Sequence, residues 1–136
     1  MKLYTIRLKP GQEIRSSLMD FAKKNDLTAA SIVTCVAGAG LVKLRMAGAQ
    51  PDSQDIREYT GPYEVVSLVG TFSADDGHFH IALSDKDDRV IGGHLKSAIV
   101  HLTAEIVIIN DENSRYVREP DEETGFTELT IKENDV

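Results

Sequence analysis

A helical period occurs once in this chain, and a strand period recurs through most of the rest. From Gln12 to Asn25, the residues Ile14, Leu18, Phe21 and Ala22 return at helix spacing. Glu13 falls in the first turn and Lys23 and Lys24 in the last, where their charges complement the helix dipole. Leu3 to Lys9, Leu41 to Met46 and Phe126 to Lys132 alternate apolar with polar, as strands do. Ala98 to Ile109 alternates for longer, with Ala98, Val100, Leu102, Ala104, Ile106 and Ile108 on one face. Ala30 to Gly38 is uncharged and β-branched, which suits a central buried strand, and Gly38-Ala39-Gly40 then makes a turn or bulge. Ala47 to Ile56 is a polar loop. Arg57 to Ser73 is a long strand region with a bend or edge position at Gly61-Pro62. No helix separates the later strands, and there is no internal repeat or linker. The expectation is an α+β, sandwich-like domain over residues 1–136: a mostly antiparallel sheet of about seven strands with one main helix packed on it. The acidic C-terminal segment, 110–136, belongs to that domain.

A chain of 136 residues is long enough to bury about two thirds of its unfolded surface in one core. With 41% hydrophobic and 27% charged residues it reads as globular. No apolar run approaches the ~20 residues of a membrane span. The N-terminal residues show no signal core, and the single cysteine, Cys35, forms no internal disulfide, so a cytoplasmic location is expected. Cys35 lies in an apolar run and reads as a buried, inert thiol.

The chemistry concentrates in one place. Three of the four histidines, His78, His80 and His94, fall within 17 residues. Asp75-Asp76-Gly77 is a hairpin turn signal leading into His78-Phe79-His80, so the first two histidines project from one face of a strand. Asp85 to Arg89 forms a polar turn in which Asp85 supplies turn chemistry. The chain then returns through Val90-Ile91 and a glycine pair, Gly92-Gly93, that permits an unusual backbone turn. An antiparallel hairpin would bring His94 back over the same face. One such histidine is more often solvated or hydrogen-bonded than a ligand. Three converging imidazoles instead form a half-open site for a divalent metal, with zinc the default and nickel, copper or iron also compatible. His101 fits packing or an outer role. Glu105, on the same strand face, could orient a ligating imidazole or pair with a basic residue across the strand.

The formal net charge is −7, which weighs against nucleic acid as a direct partner because phosphate neutralisation dominates that affinity. The acid is uneven. Residues 110–136 hold nine Asp or Glu against three Lys or Arg, leaving 13 against 12 in the body of the chain. No basic stripe stands out there.

Several segments, taken together, resemble the plants-and-prokaryotes-conserved (PPC) domain, which is also found in plant AT-hook nuclear proteins. They are Arg7-Leu8-Lys9-Pro10-Gly11-Gln12-Glu13-Ile14, Gly61-Pro62-Tyr63-Glu64 running on to Phe72, His78-Phe79-His80, Gly92-Gly93-His94-Leu95, Thr103-Ala104-Glu105 and the closing run from Arg118 to Leu129. The resemblance implies a single-domain α/β fold, a homotrimer, and a histidine cluster that can hold a metal, often zinc. It also implies the family's label of DNA-binding regulator, but no Arg-Gly-Arg-Pro hook occurs here, so direct DNA binding does not carry over. Arg7 and Glu64 match the family, each as half of a structural ion pair. Three classes of function follow: a trimer whose metal site is structural or binds a small ligand and which acts through protein partners, a direct DNA binder, or a metal-dependent enzyme. For the enzyme, no general base or nucleophile pair stands out. A cupin-like reading fails because Gly70 stands too far before His78 and the pattern's second half is missing.

Overall fold

The structure, a computed structural model, describes residues 1–134. The elements run in the order β1 (Lys2–Leu8), α1 (Ile14–Lys24), β2 (Ala30–Arg45), β3 (Ile56–Phe72), β4 (Gly77–Ser84), β5 (Val90–Asn110), β6 (Ser114–Pro120) and β7 (Thr127–Glu133). Every strand pairing is antiparallel. The main sheet has the order β1-β5-β2-β3-β4, and β4 also pairs with β5. The 21-residue β5 makes this possible by bonding β4 with its first residues, β2 along most of its length and β1 with its last. Strands β2, β3, β4 and β5 therefore close a ring, which removes edges that would otherwise stay unpaired. The β6–β7 hairpin is a separate two-stranded sheet laid against this body. The expected mostly antiparallel α+β architecture with one helix is what the chain adopts.

The helix forms because its apolar stripe has a covered surface to meet. Ile14, Leu18, Met19 and Ala22 are buried, and Phe21 packs edge-on against Tyr4 with ring centroids 5.2 Å apart. Glu13 stands before the helix as its N-cap and is not part of the first turn. Its carboxylate accepts from the Ser16 N–H at 2.6 Å and the Arg15 N–H at 2.8 Å. It also accepts from the Ala98 N–H at 2.9 Å, so one side chain starts the helix and fastens it to β5.

The two glycine-rich positions resolve differently from a chain reversal. Of the turn or bulge expected at Gly38-Ala39-Gly40 it is the bulge that forms: β2 runs through, and the pairing slips there. The Cβ of any larger residue at Gly38 would lie 2.4 Å from the His101 carbonyl oxygen, so glycine answers to close backbone approach. Gly92-Gly93 is likewise extended strand. A Cβ at Gly93 would meet the Arg45 carbonyl oxygen at 2.8 Å, and one at Gly92 the Ile81 carbonyl oxygen at 2.5 Å. At this point β5 is sandwiched between β2 and β4, and the crowding accounts for both glycines.

The core is formed by inward residues of the ring and the helix stripe, among them Phe72, Phe79, Leu83, Leu95, Ile106 and Ile108. Leu102 departs from the expected alternation. It sits at φ +69° in an irregular stretch opposite β2 and is exposed, while Ala98, Val100, Ala104, Ile106 and Ile108 point inward as expected. Strand β2 is central but not buried on both sides, since Val33 and Val36 are 55% and 63% exposed. Cys35 is half-buried, and burial pushes its thiol up to about 11, which keeps it protonated at neutral pH. Among the described residues no helix is long and apolar enough to cross a membrane.

Candidate metal centre

The inward and outward faces of β4 divide its work. Phe79, Ile81 and Leu83 are buried in the ring, and the alternating positions His78 and His80 face outward. The Asp85 carboxylate accepts from the Asp87 and Arg89 N–H groups at 2.8 and 3.0 Å, closing the turn that sends β5 back antiparallel. That turn sets the register in which His80 lies directly opposite His94. On its other side His94 lies opposite Arg45 of β2, and His78 lies opposite Thr71 of β3. Directly opposed residues share a face. Arg45, His94 and His80 therefore form a row across three strands, with His78 one step along.

The three imidazoles converge as the hairpin argument expects. Ring centroids are 4.8 Å apart for His78–His80, 4.8 Å for His78–His94 and 5.7 Å for His80–His94. One nitrogen from each ring falls within 4.8 Å of the others. The Nε2 atoms of His78 and His80 are 3.1 Å apart, so a proton on one faces a lone pair on the other. This separation is near the edge of about 3.3 Å expected of a tetrahedron with metal–nitrogen bonds of about 2.0–2.1 Å.

The electrostatics favour neutral rings at His78 and His94. Burial lowers the pKa of His78, and His80, Arg118 and Arg45 lower it further against an opposing pull from Glu128. Burial, then Arg45, hold His94 down to about 3. Neutral imidazole with an unshared pair is the form that ligates metal. The three nitrogens thus form a donor set that fits a divalent metal ion.

The other sequence candidates lie elsewhere. Glu105 is 11 residues beyond His94 on β5, exposed, and opposite Arg7 of β1. Arg7 Nε donates to the Thr103 hydroxyl at 3.1 Å. His101 is exposed opposite Gly38, and Glu64 is exposed opposite Gly38 and Ser84. None of the four reaches the histidine cluster.

Sequence reasoning missed the cations around it. Arg45 Nη2 is 3.3 Å from His94 Nδ1. Arg118 of β6 donates through Nη2 to both the carbonyl oxygen and the hydroxyl of Thr71, each at 3.1 Å. Phe126, in the β6–β7 turn, lies under the Arg45 guanidinium at 5.3 Å. Arg45 carried a signal, as one of the basic residues on the polar face of the alternating run Leu41 to Met46, but nothing local ties Arg118 or Phe126 to histidines 24 or more residues upstream.

Comparisons with known proteins place the fold in a family. The family model for the Plants and Prokaryotes Conserved (PCC) domain matches residues 1–111. The chain is 32% identical over 133 residues to the bifunctional protein GlmU of Synechococcus sp. (strain JA-3-3Ab), covering 97% of this chain but 21% of that protein. It is 27% identical over 115 residues to the AT-hook motif nuclear-localized protein 2 of Arabidopsis thaliana, covering 78% of this chain and 33% of that one. The chain thus spans between a fifth and a third of these curated relatives. Among solved structures, a hypothetical protein from Salmonella cholerae-suis superposes with a TM-score of 0.91 at 36% identity, covering 97% of this chain and 94% of that one. The metal-containing protein of Archaeoglobus fulgidus superposes with a TM-score of 0.84 at 25% identity, covering 96% and 94%. The chain belongs to the Plants and Prokaryotes Conserved domain family.

Proposed function

We propose that this PCC-domain protein holds one divalent metal, zinc in the first instance, on His78, His80 and His94, and presents the open coordination position to a small ligand. The observation that carries the reading is the convergence of three imidazole nitrogens within 4.8 Å from two strands whose register is fixed by a tight turn. The related Archaeoglobus protein is described as metal-containing, which supports it. When bound, such an ion acts as a Lewis acid toward whatever occupies its fourth position. The chain's own contribution is to keep His78 and His94 neutral and all three imidazoles aimed at one point. Elemental analysis of protein purified without a histidine tag checks this. We expect about one metal per chain in the native protein and almost none in the His78→Ala/His80→Ala double variant. Equal, near-zero metal in both after incubation with zinc and desalting refutes it.

The same protein acts as a homotrimer in this reading. Val33, Val36, Leu41, Val66 and Val69 on neighbouring strands β2 and β3, with Leu102 on β5, are exposed on a lone chain. An apolar surface of this kind is what a second copy covers. A monomer by sedimentation equilibrium overturns the assembly and leaves the metal site standing. Protein partners or a small ligand at the metal fit the net charge of −7 better than direct contact with DNA.

A further inference from the structure

The cations beside the histidines have no assigned task, and their placement runs against the charge of the whole molecule. A cavity of about 270 Å³ lies between the start of α1, the histidine face and the β6–β7 hairpin. His78, His94 and four cations line it: Arg15, Arg45, Lys96 and Arg118. Asp76 and Glu128 line it too, and Arg15 is committed to Asp76 at 3.5 Å and to the Gly77 carbonyl oxygen at 3.2 Å. Among the described residues, Arg45, Lys96 and Arg118 form no ion pair. Three such cations facing one small cavity repel one another, and a divalent ion on the histidines would add to that. A bound anion relieves it. Guanidinium groups present paired N–H donors that match a carboxylate or phosphate. Arg118 is held in place by Thr71 and Arg45 by the Phe126 ring, so little order remains to be imposed on binding.

The Arg45–His94 contact links this cavity to the metal. Without metal, Arg45 Nη2 donates to Nδ1 of a neutral His94. Metal on Nδ1 takes the lone pair that accepts this bond. Metal on Nε2 leaves the ring proton on Nδ1, which then has nothing to accept with. Either way the hydrogen bond is lost and an Arg45 donor turns free at the edge of the cavity. We propose that this cavity binds a small organic anion, a carboxylate or phosphate held by Arg45 and Arg118 beside the metal's open position, and that metal binding readies Arg45 for it. The inference rests on the metal reading above. Its thermodynamic consequence is reciprocal: metal tightens anion binding, and anion tightens metal binding by the same factor.

The test is calorimetric titration of the full chain with malonate and, separately, inorganic phosphate. It uses zinc-loaded and zinc-free wild type and the Arg45→Met and Arg118→Met variants, with zinc measured in every sample. Expected are saturable binding of at least one probe to the loaded protein, weaker binding by about tenfold or more without zinc, and a comparable loss in each loaded variant whose zinc content is unchanged. Malonate alone assigns the site to carboxylates, and phosphate alone to phosphoryl groups. A wild type that cannot retain zinc sinks the metal reading and this inference with it. Retained zinc with binding of neither probe, with affinity indifferent to zinc, or with unaltered affinity in both arginine variants sinks the anion site alone.

Discussion

Two antiparallel hairpins meet at the histidines, and they are built on different terms. The β4–β5 ribbon is part of the core. Its inward residues Phe79, Ile81, Leu83 and Leu95 are buried, so the outward histidines inherit the rigidity of a packed interior. The β6–β7 hairpin lies outside that core; the surface ion pair Lys132–Glu119 at 2.7 Å laces it, and Arg115 reaches Asp75, in the loop before β4, at 3.8 Å. Such exposed pairs contribute little each. Its tie to the body comes from the Tyr116 N–H donating to the Thr28 carbonyl oxygen at 2.8 Å, Arg118 on Thr71 and Phe126 under Arg45. The ribbon therefore supplies the fixed imidazoles, and the hairpin supplies side chains that line the space beside them.

Substitutions separate the two contributions. The largest effect is expected in the ribbon interior: Phe79→Ala should lower unfolding free energy by about 3–5 kcal/mol in denaturant titration, because a ring 1% exposed leaves a cavity. A loss as small as a surface change would mean that the ribbon is not anchored as described. Gly93→Ala should cost about 1–3 kcal/mol and displace His94, since the added methyl meets the Arg45 carbonyl oxygen, with zinc retention as a second readout. The His94 contribution is a matter of slope. Folding holds its pKa at about 3, below the ordinary 6.5, so between those values the unfolded chain takes up a proton that the folded chain refuses. Metal-free protein should thus lose stability as pH falls from 6.5 toward 3, and His94→Gln should flatten that part of the profile. Identical slopes in the two proteins would show that the ring is not held neutral. In the hairpin, Phe126→Ala should cost only about 0.5–2 kcal/mol, the scale of a half-buried cation–π contact, and leave metal content unchanged.

Local patterns foresaw most of the ribbon. Alternation placed His78 and His80 on one face, and the Asp85 turn implied that His94 would return over them, because period and turn chemistry act within a few residues. The same reasoning left turn and bulge open at Gly38-Ala39-Gly40, where the structure has the bulge, and read Gly92-Gly93 as a turn. Glycine in sequence does not distinguish a chain reversal from a strand squeezed between two others. The alternation from Ala98 also could not reveal that Leu102 is turned outward by the irregular pairing opposite Gly38. Arg118 and Phe126 were legible as a matched tail and not as neighbours of the histidines, since their contacts bridge 47 and 81 residues.

What the amino-acid order alone determined was the period of each element, the single helix and a face carrying two imidazoles, all consequences of backbone geometry over a few residues. What the tertiary structure decided was the closure of the ring through β5, the row of Arg45, His94 and His80 across three strands, and the charged wall brought up by the last hairpin. Those depend on which distant segments share hydrogen bonds. That choice is made by burying the apolar faces of all the strands and the helix at once, so no local window contains it.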